Sequence, residues 1–106
     1  MEVIHYQTPW GVDLVRTWLE GLEDGVTRNC ILRRINRLGR GSFGDCRFCG
    51  EGVWELRIDY GPGYRIYYAR QGDTIIMLLC GGSKNTQARD IVKAIACWKD
   101  IKRRQR

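Results

Sequence analysis

The chain has 106 residues, of which 43% are apolar and 28% are charged. This length is typical of one domain with a modest core, and the composition excludes a disordered or collagen-like chain. The longest apolar run, Thr74–Cys80, is too short to cross a membrane, and the first residues lack the basic start and apolar core of a signal peptide. We therefore predict a single cytoplasmic domain that spans residues 1–106.

The net charge of +6 comes from 18 basic and 12 acidic residues, and most of the basic residues are arginine. Arginine makes bidentate contacts with phosphate, and a basic surface attracts polyanions through counterion release. An acidic protein would be attracted equally well. The charge therefore predicts an anionic partner without choosing between nucleic acid and protein.

The first half of the chain predicts one strand and two helices. Residues 3–7 have the β-branched and aromatic content of a short strand. Thr8-Pro9 is typical of a helix start, so an amphipathic helix is expected over residues 9–23. A second helix, which should form a hairpin with the first, is expected over residues 26–38. Its apolar stripe comprises Val26, Cys30, Ile31, Ile35 and Leu38.

The other side of the second helix carries Arg33, Arg37 and Arg40 at a spacing of i, i+4 and i+7. Such a stripe is either a solvated helix face or a contact to a nucleic-acid backbone or an acidic partner. Residues 39–52 are rich in glycine and are predicted to form a loop. Their spacing does not match a phosphate-binding loop that opens a helix.

Cys46 and Cys49 form a CxxC segment, which is half of a typical zinc site. No second ligand pair has similar spacing, and the one histidine, His5, is distant in sequence. The chain has five cysteines, an odd number, and no secretory context for disulfides. We expect reduced thiols, no metal site and no cofactor.

The second half changes to the alternation of β-strands. Strands are predicted over residues 54–59, 64–69 and 74–80, followed by a helix from about residue 86 to the basic tail Lys102–Arg106. The expected order is β-α-α-β-β-β-α. We predict an α+β fold in which a mainly antiparallel sheet packs on the helical hairpin, with a C-terminal helix.

Alternation also predicts a polar sheet face opposite the hairpin. This face would carry Glu55, Arg57 and Arg65, with Tyr67 nearby, and Lys84 follows the last strand. Two guanidinium groups on one face repel unless an anion or a carboxylate such as Glu55 lies between them. The group is either a surface ion-pair network without a role or an anion clamp for a phosphodiester.

RNA cleavage needs no metal, because the ribose 2′-hydroxyl can attack the adjacent phosphorus. The usual acid and base would be a histidine pair, which a single histidine excludes. A nuclease site here would use Glu55 as base, or Arg and Lys side chains that stabilise developing charge. Such a site would be slow unless the RNA arrives distorted, so we expect a helper that bends it.

Two stretches, Glu55–Tyr68 and Leu78–Ile91, resemble the RelE/ParE superfamily of type II toxin–antitoxin toxins. More narrowly, they resemble the HigB-like "addiction module killer" branch. The resemblance covers nearly the whole chain, since the strand, hairpin, meander and final helix come in that family's order. It implies a RelE-like fold and a ribosome-dependent mRNA endonuclease that inhibits translation by metal-independent attack of the 2′-hydroxyl, with the ribosome as the helper.

The resemblance also assigns site residues. Catalysis would rest on Arg57, Arg65 and Lys84, and Glu55 aligns approximately with a further site position at which some relatives have lysine. A C-terminal tyrosine or histidine found in many relatives has no clear counterpart, and Asp90 is the nearest polar residue. The residues expected to contact RNA or the ribosome are Arg33, Arg37, Arg40, Tyr67 and Asp90.

The partners implied by the resemblance are the ribosome, mRNA and a cognate antitoxin, expected to be a helix-turn-helix protein of the HigA kind. No membrane partner is expected. Two other functions stay open. The same fold would support a ParE-like poison of DNA gyrase without enzymatic activity. A non-toxic basic RNA-binding domain would instead use exposed tyrosines for base stacking.

Overall fold

The computed structural model describes residues 1–105, which form three helices and five strands. In chain order they are β1 (Glu2–His5), α1 (Leu14–Glu20), α2 (Gly25–Gly39), β2 (Cys46–Gly50), β3 (Val53–Ile58), β4 (Tyr64–Gln71), β5 (Ile75–Ser83) and, after a 3-10 turn at Lys84–Thr86, α3 (Gln87–Arg104). Arg106, the last residue of the predicted basic tail, lies outside the described residues. None of the helices in residues 1–105 is long and apolar enough to cross a bilayer.

The strands form one mixed sheet in the order β1-β5-β4-β3-β2. β1 pairs parallel with β5, whereas the other neighbours pair antiparallel. The α+β class, the meander of β3, β4 and β5 and the added first strand agree with the sequence prediction. The apolar run on β5 lies inside the sheet and is covered on both faces, as its composition predicts.

The glycine-rich segment 39–52, predicted to be a loop, contains a fifth strand. Cys46–Gly50 pairs antiparallel with β3 and places Arg47 opposite Glu55. The turn Gly50–Gly52, with φ values of 103°, 53° and 82°, joins the two strands. The observed order is therefore β-α-α-β-β-β-β-α, and the predicted order is wrong by one strand. The strand has only five residues, and the glycines on both sides of it are typical of turns, so its alternation is too short to be recognised from sequence.

Helices cover both faces of the sheet. α1 and α2 pack together on one face, as the predicted hairpin requires, and the sheet residues of this core are Leu56, Ile58, Ile66, Tyr68, Ile76 and Leu78. α3 packs on the other face, over Val53, Tyr67, Ala69, Met77, Leu79 and Cys80. This second face is the one predicted to be polar and open, and that expectation is wrong for most of its length. It stays open at the β3–β4 turn and beside β2, where Arg47 is exposed.

α1 begins at Leu14, later than the start predicted at residue 9. The Asp13 side chain caps it by accepting a hydrogen bond from a backbone amide of the first turn. The hydroxyl of Thr8, the expected cap, accepts instead from the amide of Val12 within a preceding turn. Gly11 in that turn has a φ of 82°, a left-handed conformation that a helix cannot continue through.

α2 lies where the hydrophobic periodicity predicts it. Asp24 caps it by accepting a 3.0 Å hydrogen bond from the amide of Val26. Ile31, Ile35 and Leu38 are buried against the sheet, as expected of the apolar stripe. Val26 is 61% exposed and lies outside the core, so its place in the predicted stripe is wrong.

The carboxylate of Asp100 ties α3 to the residue after β1. Tyr6 donates a 2.8 Å hydrogen bond to it, and Arg104 and Arg103 donate as well. The hydrogen bonds from Arg104 and Tyr6 lower the pKa of Asp100 from 3.8 to about 2. Burial, together with the bond to this carboxylate, raises the pKa of Tyr6 to about 12. This pair therefore stays in one ionisation state across the neutral range.

Candidate active site

Three basic side chains converge on a cleft of about 280 Å³, here called the basic cleft, at one end of the sheet. Arg57 comes from the end of β3, Arg65 from the start of β4, and Lys84 from the 3-10 turn after β5. The structure thus brings together the three residues for which the sequence predicts a common site. The other walls are the side chains of Asp45 and Asp59 and the turn 61–63.

The backbone hydrogen bonds between neighbouring segments bring these three side chains together. Arg57 and Arg65 are direct partners in the antiparallel register, so their side chains project from the same face. The amide of Lys84 donates a 3.0 Å hydrogen bond to the carbonyl of Gly63, which holds the end of β5 against the β3–β4 turn. Gly63 has a φ of 89°, and a Cβ there would lie 3.4 Å from the Cβ of Lys84. Glycine therefore suits both the backbone conformation and the close approach.

Glu55 holds the two guanidinium groups side by side. Its carboxylate is fully buried, and Oε1 lies 3.9 Å from Nε of Arg57 and 3.7 Å from Nε of Arg65. Its other oxygen accepts a 2.7 Å hydrogen bond from Nε2 of Gln87 at the start of α3. A carboxylate between two like charges offsets their repulsion, so Glu55 is a counterion within the sheet.

The burial of Glu55 conflicts with the expected role of general base. A general base must come within hydrogen-bond reach of the proton that it accepts. Glu55 has 0% exposure and lies beneath the two guanidinium groups and Gln87. In this conformation it positions Arg57 and Arg65 and does not reach a ligand itself.

The three cations differ in accessibility. Lys84 is exposed, and the side chain of Arg57 is 41% exposed. The side chain of Arg65 is only 7% exposed, and its Nη1 donates a 2.9 Å hydrogen bond to the carbonyl of Tyr64. Arg34 of α2 donates a 2.9 Å hydrogen bond to the carbonyl of Arg57, which fixes the end of β3. An anion in the cleft would therefore meet two accessible cations, Lys84 and Arg57, and one, Arg65, that is almost fully buried.

Two exposed carboxylates also line the basic cleft. Asp59 lies two residues beyond Arg57, and Oδ2 of Asp45 lies 4.0 Å from Nε of Arg57. Sequence reasoning did not select either residue. Alternation could have found Asp59, which shares the face of Arg57. Asp45 gives no such signal, because it stands in the segment whose strand was not recognised.

Tyr67 and Asp90, predicted to contact RNA or the ribosome, do not reach the basic cleft. Tyr67 is 0% exposed under α3, and burial, with the nearby Glu55 charge, raises the pKa of its hydroxyl above the ordinary range. Asp90 is 6% exposed and accepts a hydrogen bond from the hydroxyl of Thr86 near the start of α3. Their burial contradicts direct contact with RNA, and both are structural residues of the α3 interface.

The predicted arginine stripe of α2 is present on the surface. Arg33, Arg37 and Arg40 are exposed and, with Asn36, line one shallow groove. The neighbouring Arg34 points instead to the sheet. The stripe and the basic cleft are separate surfaces, so the structure leaves the stripe available to a large partner.

The two cysteines of the CxxC segment contact different cores. Cys46 packs against the core under α1 and α2, whereas Cys49 packs against the core under α3. Their side chains therefore lie on opposite faces of β2 and cannot ligate one metal ion together. Within residues 1–105 no group of three or more His, Cys, Asp or Glu residues is arranged to hold a metal.

Comparison with known proteins finds two similarities. A family model described as "Phage derived protein Gp49-like (DUF891)" matches residues 17–98, from α1 to α3, a range that contains every residue of the basic cleft. A protein of Haemophilus influenzae strain Rd, described only as an uncharacterized protein, is 45% identical over 78 residues. That alignment covers 74% of this chain and 79% of the relative.

Proposed function

The chain belongs to the Gp49-like family of phage-derived proteins, a family of the RelE-like addiction module killer group, and we propose that it is the toxin of a type II toxin–antitoxin system. As its activity we propose ribosome-dependent cleavage of mRNA, which stops translation. The HigB-like branch of the group is part of this proposal. Ribosomes and translated mRNA are in the cytoplasm, so we propose that the protein acts there.

One observation carries the proposal, namely that Arg57, Arg65 and Lys84 come from three separate segments to one cleft. Guanidinium and ammonium groups aimed at one point stabilise the extra negative charge that a phosphorus centre acquires during displacement. Glu55 supports this arrangement, because it holds Arg57 and Arg65 at 3.9 and 3.7 Å from one carboxylate oxygen and so keeps them preorganised.

The proposed reaction is an in-line displacement within the RNA. The 2′-oxygen forms a bond to the adjacent phosphorus while the bond to the 5′-oxygen of the next nucleotide breaks. The proton of the 2′-hydroxyl passes to a base, and the leaving 5′-oxygen takes up a proton. The accessible carboxylates of Asp45 and Asp59 are better placed to accept the first proton than the buried Glu55. Tyr67 is too deeply buried to act as the acid.

Two further surfaces fit the proposed partners. The α2 stripe of Arg33, Arg37 and Arg40 is exposed and suits the phosphate backbone of ribosomal RNA. Membership of a toxin–antitoxin family implies a cognate antitoxin, for which we propose a HigA-like helix-turn-helix protein. The antitoxin would act either by covering the basic cleft or by covering this stripe and blocking ribosome entry.

The structure guides the choice of variants that test this function. Arg65→Ala would leave the buried Glu55 carboxylate without one of its counterions and risks unfolding the protein. Lys84→Gln and Arg57→Gln change exposed or half-exposed side chains and leave the pair of Glu55 and Arg65 intact. Arg16→Gln, on the exposed face of α1, removes the same charge far from the cleft and is the matched control.

Each variant is expressed in bacteria, and growth, protein synthesis and mRNA integrity are followed. Wild type and Arg16→Gln should arrest growth and cut mRNA. Lys84→Gln and Arg57→Gln should cut about 100-fold more slowly, as expected when one group that stabilises transition-state charge is lost. Arrest with a DNA-damage response and intact mRNA would instead indicate a ParE-like gyrase poison. Harmless expression would indicate a plain RNA-binding domain.

A further inference from the structure

Arg34 of α2 lies behind the basic cleft, and nothing in the proposed chemistry uses it. Its helix packs on the sheet face opposite the one from which Arg57 and Arg65 project. Its guanidinium nevertheless reaches the end of the sheet, where Nη1 donates a 2.9 Å hydrogen bond to the carbonyl of Arg57. Nη2 donates a longer bond, of 3.5 Å, to the carbonyl of Asp45. One side chain therefore holds two backbone segments that form the cleft wall.

The two residues that Arg34 holds also bind each other. The amide of Arg57 donates a 2.9 Å hydrogen bond to the carbonyl of Asp45, which extends the pairing of β2 and β3 by one residue. Residues opposite each other in an antiparallel pair project their side chains from the same face. Oδ2 of Asp45 accordingly lies 4.0 Å from Nε of Arg57, in the basic cleft. The Asp45 side chain is 58% exposed, so a ligand in the cleft can reach its carboxylate.

Asp45 depends on this support because it precedes β2 and lies at the end of a glycine-rich segment. Nη2 of Arg34 also packs against Gly44 of that segment, where a Cβ would lie 3.0 Å from it. The guanidinium is a planar fork of several N–H donors, a shape that suits two carbonyl groups at once. Asp59 lines the same cleft from the turn after β3, and none of these bonds within residues 1–105 involves it.

We infer that Arg34 is a positioning residue that holds Asp45 beside Arg57, so that Asp45, rather than Asp59, accepts the proton of the 2′-hydroxyl. The inference rests on the proposed function, because it takes RNA cleavage as the reaction of the basic cleft. As the 2′-oxygen bonds to phosphorus, its proton moves to the Asp45 carboxylate and the bond from phosphorus to the 5′-oxygen breaks. That oxygen takes a proton from water, and Asp45 then returns its own proton to water.

The inference is tested by single-turnover cleavage of a defined message on bacterial ribosomes, with the protein in excess. The rate at saturation reports the chemical step, and the protein concentration at half saturation reports binding. Asp45→Asn should cut at least about 100-fold more slowly, as expected when a general base is lost. Arg34→Met keeps the unbranched stem without its donors. It should cut about 10- to 100-fold more slowly and leave half saturation unchanged, because Arg34 does not line the cleft.

The double variant Arg34→Met/Asp45→Asn separates positioning from a general effect on the fold. It should be no slower than Asp45→Asn alone, because Arg34 acts through Asp45. Arg34→Lys has an ammonium group that can donate to one of the two carbonyls, so it should recover part of the lost rate. Arg16→Met makes the same change as Arg34→Met on the exposed face of α1, and it should match wild type.

Amide hydrogen exchange gives a readout that does not depend on activity. In Arg34→Met the amide of Arg57, which donates to the carbonyl of Asp45, should exchange faster than in wild type. Amides in the middle of β4, such as that of Ile66, should keep their protection. Faster exchange throughout the sheet would show a general loss of stability and would overturn the positioning role.

Cleavage by Asp45→Asn at the wild-type rate would overturn the inference, as would rate losses that multiply in the double variant. A larger loss in Asp59→Asn than in Asp45→Asn would assign the proton to Asp59 and overturn it as well. The proposed function fails separately. A message left intact by wild type refutes the nuclease itself, whereas cleavage by wild type and by Asp45→Asn at equal rates keeps the nuclease and refutes only the role of Asp45 and Arg34.

Discussion

Replacing Glu55 with glutamine tests how the basic cleft is held together. The substitution preserves the shape of the side chain but removes the negative charge between Arg57 and Arg65. Breaking a buried ion pair from one side costs about 3–5 kcal/mol, because the remaining charge is left without a partner. Arg57 is 41% exposed and can be hydrated again, so the loss falls on Arg65, whose side chain is only 7% exposed.

We therefore expect the lower end of that range, about 3 kcal/mol, which corresponds to a fall in Tm of roughly 12–24 °C for a domain of this size. The measurement is guanidinium and thermal unfolding followed by circular dichroism and tryptophan fluorescence. Asp59→Asn makes the same chemical change at an exposed carboxylate of the same cleft and should stay within about 0.5 kcal/mol of wild type. Equal stability of Glu55→Gln and Asp59→Asn would refute the assignment of Glu55 as a structural counterion.

Three other outcomes are expected. The pKa of Asp100 is about 2 in the folded chain against an ordinary 3.8, so its contribution to stability is complete above about pH 5 and is lost as the pH falls towards 2. Denaturant midpoints over this range should fall less in Asp100→Asn than in wild type, and parallel curves would contradict the reasoning. In Gly82→Ala the added methyl group would overlap the Asp90 carboxylate, so the free energy of unfolding should fall by about 1–3 kcal/mol. Gly25→Ala, whose methyl group would meet nothing within 4 Å, should leave stability unchanged. Similar denaturant midpoints for the two variants would be evidence against this packing. Elemental analysis should find far less than one zinc per chain, because the segment Cys46–Cys49 divides its thiols between two faces, and one equivalent would show that prediction to be wrong.

The convergence of Arg57 and Arg65 could be predicted from sequence because it depends on local rules. Alternation assigns each residue of a strand to a face, and the short turn of Gly61-Pro62-Gly63 leaves few possible registers for the two strands. Lys84 follows the next strand of the same meander and is brought to the turn by the backbone bond to Gly63. Short-range patterns were sufficient for this part of the site.

The burial of Glu55 and Tyr67 could not be predicted in the same way. Alternation places both on one face, but it does not say which distant element covers that face. α3 covers it, and Gln87, which binds Glu55, lies 32 positions further along the chain. Polar residues beneath a helix and polar residues facing water have the same local pattern, so only the tertiary packing distinguishes a base from a counterion.

Strand β2 was not predicted because its local sequence is typical of turns. Gly39, Gly41 and Gly44 precede it, and Gly50 and Gly52 follow, so turn signals dominate its composition. The strand is stabilised by pairing with β3, a contact that local propensity does not report. As a consequence Asp45, which precedes this strand and lines the basic cleft, was not identified as a candidate.

The central claim is most directly tested by mapping the ends of mRNA after incubation with the purified protein and bacterial ribosomes programmed with a defined message. We predict that wild type cuts the message in the decoding site, leaves a 2′,3′-cyclic phosphate and a 5′-hydroxyl, and does not cut the same RNA free in solution. Lys84→Gln should cut about 100-fold more slowly under the same conditions. An intact message with wild type, or equal cleavage by both proteins, would contradict the account.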